Sequence, residues 1–275
     1  MTILDFFLFL IYYCNIIQLK TKTMLSGFIL INKALDWTSN DVTVYIRTKV
    51  AKTIKRQNPH IKHVRVGHAG TLDPFATGLL IVAIGRQATR QIEQYKNLPK
   101  IYETTIQLGA TSDSYDITGK ITQSPNYQII ESLTQQHIEI ILKHFIGKQR
   151  QIPPMHSAKK VDGKRLYNLA RKGIEIERKP CDIDIHTIDI LDWDKITYQL
   201  TIRVSCSTGT YIRSLAHDIG KELGVGGYCK TLHRTAIGDY QVSDAINIEG
   251  IRIEDIETHI IPIVNNKTHN ENTET

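Results

Sequence analysis

Within residues 67–78, GHAGTLDPFATG, one carboxylate stands in a glycine-flanked loop, a placement that presents a reactive group to a ligand. Pro74 biases Asp73 toward extended backbone and fixes the following φ, while Gly67, Gly70 and Gly78 permit close backbone approach. Asp73 is therefore a candidate nucleophile. The same residues also suit a helix start, with Asp as N-cap and Pro at the first helical position. No Gly-Lys-Ser/Thr follows, so the window is not a P-loop, and it lacks the Gly-x-Gly-x-x-Gly of a dinucleotide fold. Taken alone, these residues name no reaction.

The elements that must hold the loop are read from periodicity. Residues 27–33 form an apolar run that predicts a short buried strand. Thr38 is the expected N-cap of a helix, with Asp41 completing a capping-box-like start and Val42, Ile46 and Val50 at helical spacing. Its other face carries Arg47, Lys49, Lys52, Lys55 and Arg56, which suit either a phosphate backbone or plain solvation. Tyr102, Thr104, Ile106 and Leu108 alternate with Glu103, Thr105 and Gln107, so Tyr102 starts a strand facing inward. Residues 129–145 suit one amphipathic helix stopped by Gly147. Residues 184–191 and 196–206 read as paired strands, with a helix over 211–223. Strands and helices do not alternate regularly, which predicts an α+β domain with a central mixed, largely antiparallel sheet flanked by helices.

A chain of 275 residues with 41% hydrophobic content can bury a sizeable core. Its net charge of +6 favours a polyanionic partner. Cys14, Cys181, Cys206 and Cys229 form no C-x-x-C pair, which fits a reduced cytoplasm and indicates neither a zinc site nor a disulfide framework. Residues 3–17 are apolar but contain Asp5 and Asn15 and fall short of a membrane span, so no membrane association is expected. Residues 1–23 are expected to be an upstream extension or a start assigned too early, residues 24–245 the catalytic domain, and 246–275 a short segment with a polar, disordered tail.

Five ordered blocks carry a resemblance. They are GHAGTLDPFATGLL; KIY at 100–102 with LG at 108–109 and TSDSYD at 111–116; QIPP at 151–154 with Ser157-Ala158-x-Lys160; RLY at 165–167 with Ala170, Arg171 and Gly173; and CSTGTYIRSLA at 206–216. The blocks lie between residues 67 and 216, and over roughly residues 26–245 the chain resembles the tRNA pseudouridine synthase B family, bacterial type, which isomerises uridine 55 in the T loop of tRNA. The resemblance implies the pseudouridine synthase fold, with Asp73 as the essential aspartate, Arg213 paired with it, and Tyr102 stacking on the target uracil. Tyr211 and Leu232 match pocket residues, His68 the histidine that enters the T loop, Asp113 a position that organises the site, and Lys160 a family lysine. Lys159, Lys164, Arg165, Arg171 and Lys172, around Tyr167, suit phosphate contacts. Ala69, Ser112 and His156 depart from the commonest family pattern at local contacts.

The reaction so implied needs no cofactor, metal or guide RNA, and a monomer is expected. Two other readings share these residues: a guide-dependent dyskerin-like synthase, which normally brings a C-terminal PUA domain that this chain is too short to hold in full, and a tRNA-binding folding factor.

Overall fold

The computed structural model describes residues 25–263, apart from 125, 126, 158, 162 and 171, and leaves undescribed the side chains of 57, 127, 160, 164 and 165. The expected N-terminal extension and the polar tail beyond 263 therefore lie outside the described residues. β1 (Gly27–Lys33) is buried along nearly its whole length. α1 (Ser39–Gln57) starts at a true capping box: the Asp41 N–H donates to the Thr38 hydroxyl at 3.0 Å and the Thr38 N–H to Asp41 Oδ2 at 2.9 Å. Val42, Ile46 and Val50 are fully buried beneath it, and its basic face is exposed.

β2 (Val66–Ala69) and β3 (Thr77–Ile84) flank the Asp73 loop. Two short helices follow, α2 (Arg86–Arg90) and α3 (Ile92–Lys96), then β4 (Lys100–Leu108), whose side chains alternate buried and half-buried as its sequence predicts. β5 (Ala110–Ser112) and β6 (Ile121–Gln123) make a small hairpin. The single helix expected over 129–145 is two, α4 (Tyr127–Ser132) and α5 (Gln135–His144). Thr134 separates them because its extended backbone lets its hydroxyl accept from the His137 N–H at 3.3 Å and cap α5.

Next come β7 (Gly147–Gln151), the hairpin β8 (Lys160–Val161) and β9 (Lys164–Arg165), and α6 (Leu166–Ala170). The paired strands β10 (Cys181–Asp194) and β11 (Gln199–Cys206) lead into α7 (Ile212–Glu222) and β12 (Gly227–Ile237). β13 (Tyr240–Gln241), β14 (Ile246–Asn247) and α8 (Ile253–His259) close the described chain.

Ten strands form one sheet in the order β14-β1-β3-β12-β4-β11-β10-β7, with β2 on β3 and β13 on β12. The β1–β14 and β3–β12 pairs are parallel and the others antiparallel, so the fold is α+β with a mixed, largely antiparallel sheet. Alternate residues of β1 and β3 feed opposite faces: Ile29, Ile31, Leu80 and Val82 pack under α1 with Ile248 and Ile256, whereas Phe28, Leu30, Leu79 and Ile81 pack with Ala88. A third cluster joins β4, β11, α5 and α7.

β12 lies between β3 and β4 and so brings its own side chains between the strand that follows Asp73 and the strand that carries Tyr102. Contact there is tight. Gly78 has φ +103°, and a Cβ on it would sit 2.3 Å from the Arg234 carbonyl oxygen, so only glycine lets β3 leave the loop against β12. No helix of the described residues is long and apolar enough to cross a membrane.

Candidate active site

Asp73 opens a turn instead of capping a helix. The Ala76 N–H donates to the Asp73 carbonyl at 3.1 Å with Pro74 second in the turn, and the chain passes directly into β3. Two residues of neighbouring elements pin this loop. Lys33, fully buried at the end of β1, donates from Nζ to the carbonyls of Ala34 (2.8 Å), Trp37 (2.7 Å) and Pro74 (3.3 Å). Ser39, at the start of α1, donates to the Leu72 carbonyl at 3.1 Å and accepts from the Leu72 N–H at 2.8 Å. The buried run and the capped helix therefore place the carboxylate.

Arg213, in the first turn of α7 and 3% exposed, reaches that carboxylate. Its Nε lies 2.9 Å from Asp73 Oδ2 and its Nη2 donates to Asp73 Oδ1 at 3.3 Å. The rest of the guanidinium is also occupied: Nη1 donates to Asp116 Oδ2 (2.9 Å) and the Ser114 carbonyl (3.1 Å), and Nη2 to the His156 carbonyl (2.6 Å). This fork geometry fixes the cation in one orientation.

Asp73 and Arg213 line a cavity of about 290 Å³ together with Tyr102, Tyr211, Leu232, Ser157, Lys100 and Arg234. That volume sits at the small end of ligand pockets, a size for one nucleoside-scale group. Arg234 is 1% exposed and donates from Nε to the Leu79 carbonyl at 2.7 Å and from Nη2 to the Gly70 carbonyl at 3.1 Å, so it ties β3 and the Asp73 loop to β12.

Burial raises the Asp73 pKa above the usual carboxylate range, against the opposing pull of Arg213. Burial likewise raises Tyr102, so at neutral pH its phenol is protonated and is poorly suited to act as a base. Desolvation lowers Lys33 to about 8, opposed chiefly by the Asp73 charge, and lowers Lys100 to about 8. His68 is brought down to about 4 by burial and then by Arg234 and Lys96, which leaves a neutral imidazole.

Of the residues singled out from sequence, the fold gathers Asp73, Tyr102, Tyr211, Arg213 and Leu232 around one cavity and places His68 and Asp113 outside its lining. His68 lies on β2, two residues before Gly70. Asp113 is exposed and accepts from the Lys120 N–H at 2.8 Å, which caps the β5–β6 turn. Within that block the carboxylate that reaches Arg213, beside Asp73, is Asp116, three residues on. Lys160 has its backbone in β8, but its side chain lies outside the described set, as does residue 171 entirely. Lys33, Asp116, Ser157, Lys100 and Arg234 were given no role; the available signals were that Lys100, Asp116 and Ser157 stand within the ordered blocks, while Lys33 and Arg234 stand outside them.

Beside this cavity lies a basic groove of about 620 Å³ lined by Arg47, Lys55, Lys62, His63, Arg65 and Arg90, with no acidic residue in its lining. β2 links the two, since Val66 and Gly67 border the groove and Gly70 the cavity. Among the described residues no cluster of three or more His, Cys, Asp or Glu is arranged to hold a metal.

Residues 56–212 match the TruB family pseudouridylate synthase N-terminal domain, and residues 213–259 the tRNA pseudouridylate synthase B C-terminal domain. The chain is 42% identical over 241 residues to a protein of Syntrophomonas wolfei named tRNA pseudouridine synthase B, covering 86% of this chain and 76% of that protein. A protein of the same name from Parabacteroides distasonis is 42% identical over 237 residues, covering 86% of this chain and 95% of the relative. Among solved structures, a crystal structure of a Cbf5-Nop10-Gar1 complex shares the fold at a TM-score of 0.59 and 24% identity, and the alignment covers 86% of this chain and 60% of that one.

Proposed function

The chain belongs to the TruB family of pseudouridylate synthases, and on that premise we propose that it isomerises uridine 55 in the T loop of tRNA to pseudouridine. The observation that carries the reading is the Asp73–Arg213 pair, set in a nucleoside-sized cavity whose wall holds Tyr102. The reaction breaks the N1–C1′ glycosidic bond, turns the freed uracil, joins C5 to C1′ and moves the C5 proton away while N1 gains one. Atoms and electrons balance without a redox partner. Attack on the uracil ring, attack on the anomeric carbon, and a glycal route all need the Asp73 carboxylate ionised, which Arg213 and Lys33 favour against desolvation.

The uridine reaches the cavity by leaving the T-loop stack. Tyr102 then stacks on the base, Tyr211 and Leu232 close the pocket, and His68 enters the space left in the loop. The basic groove receives backbone phosphates of the tRNA elbow, and Lys160 adds to that surface. The protein acts in the cytoplasm as a monomer, on tRNA alone and without a guide RNA.

Tritium release from tRNA labelled at uracil C5, in EDTA and without added cofactor, tests the proposal. Release by the wild type and none by Asp73→Asn is the expected result. No release by either protein, with tRNA binding intact, would overturn it and favour a tRNA-binding folding factor.

A further inference from the structure

We infer that Gln151 is a positioning residue for this reaction, clamping the backbone of Tyr211 and thereby setting where Arg213 meets Asp73. The inference rests on the reading given above. Gln151 ends β7, is 5% exposed, and makes two bonds to one distant residue: its Nε2 donates to the Tyr211 carbonyl at 3.0 Å and its Oε1 accepts from the Tyr211 N–H at 2.8 Å. A primary amide offers the same donor and acceptor edge as a peptide group, so Gln151 does for Tyr211 what a neighbouring strand would do. Tyr211 is the N-cap of α7, and its side chain makes no capping bond of its own.

The chain just after Gln151 continues the clamp. Ser214 Oγ donates to the Ile152 carbonyl at 2.9 Å, and Arg213 Nη2 donates to the His156 carbonyl at 2.6 Å. One stretch of chain, 151–156, therefore holds Tyr211 through the Gln151 amide, and Ser214 and Arg213 through the carbonyls of Ile152 and His156, at the start of α7. At about 1.5 Å of rise per residue, the Arg213 backbone lies only some 3 Å along the axis from the clamped residue. A shift of the Tyr211 peptide is thus passed to the guanidinium with little room to dissipate. Leucine at 151 would remove both bonds at similar volume, and asparagine, one methylene shorter, would fall short of them.

The charges and titratable groups facing Asp73 are Arg213 on α7, Lys33 on β1, Asp116 in the β5–β6 turn, Tyr102 on β4 and Cys229 on β12. Lys100 and Arg234 share the cavity. Arg213 is the strongest of the groups that favour the Asp73 anion. Withdrawing it would raise the pH at which Asp73 ionises, and the acidic limb of the rate profile would move up with it.

The test is single-turnover tritium release as a function of pH for the full chain and for Gln151→Leu, with tRNA affinity and thermal unfolding measured in parallel. The folded variant is expected to lose about tenfold or more in rate at neutral pH, to keep its tRNA affinity, and to show its acidic limb displaced to higher pH. An unchanged rate and limb, or a loss confined to tRNA affinity, would overturn the inference. If Gln151→Leu does not fold, Gln151→Asn carries the same expectations and the same refutations. An inactive wild type would refute the proposed function itself, whereas an active wild type with an unaltered variant would refute the clamp alone.

Discussion

Arg213 stands between two carboxylates that the fold treats in opposite ways. Asp116 keeps 4% of its side chain exposed, and its Oδ1 accepts from Ser114 Oγ (2.7 Å), the Thr118 N–H (2.9 Å) and Thr118 Oγ1 (2.6 Å), which leaves Oδ2 for the arginine. Asp73 keeps 35% of its side chain open to the cavity and meets the same guanidinium without such a set of donors. A carboxylate that anchors a buried cation is saturated with hydrogen bonds, because an unmet charge there is costly. One that attacks a substrate keeps lone pairs free. The comparison supports the proposal that Asp116 serves structure and Asp73 chemistry.

The largest effect should come from the chemical side. Asp73→Asn is expected to lower single-turnover isomerisation by at least about 10⁴-fold, the scale on which enzymes lose a nucleophile. The same substitution should leave the melting temperature unchanged or slightly higher. Burial raises the Asp73 pKa, so the folded state favours the protonated form and its ionisation above that pKa costs stability, while Arg213 keeps Asp116 as partner. A clear loss of stability in a melt would erase the distinction drawn above.

Asp116→Asn should do the reverse in emphasis. It strips the anchoring charge from a buried arginine, and urea unfolding should report a loss of about 3 kcal/mol, with reduced but measurable activity. A fully stable Asp116→Asn protein would show that Asp73 alone holds the cation.

The pH profile sharpens the contrast without mutation. Activity should fall as pH drops through the Asp73 pKa, which lies above the usual carboxylate value of 3.8. An acidic limb below that value would place the essential ionisation elsewhere. Away from the site, the combined change Arg47→Ala, Lys55→Ala and Arg90→Ala should cut the salt slope of tRNA binding by up to about 3, and leave the rate at saturating tRNA near wild type. The smallest effect belongs to Thr38→Ala, which removes the cap of α1 and should cost about 1 kcal/mol in a denaturation curve with little change in rate.

Much of the scaffold was legible because its signals are local. The buried run of β1, the Thr38–Asp41 box, the alternation along β4 and the extent of α7 each follow from residues within a few positions of one another. The break between α4 and α5 was missed because apolar spacing runs on through Thr134, and only its backbone conformation shows that it caps a new helix. Asp113 and Asp116 share one short block, and nothing in their spacing says which carboxylate turns inward. Lys33 and Arg234 look in sequence like ordinary strand cations, yet both are buried against carbonyls of the catalytic loop or its strand.

The chain's sequence by itself determined the family, the α+β class and the candidate nucleophile, because ordered motifs and short-range periodicity are written along one dimension. The family resemblance also implied that Asp73 meets Arg213, 140 positions away, but tertiary structure alone decided that Asp116 and not Asp113 shares that arginine and that Gln151 grips Tyr211 across 60 positions. Those contacts depend on the register between strands and on which face of each element turns inward, and hydrogen bonds between distant residues exist only once the sheet has brought β7, β12 and α7 together.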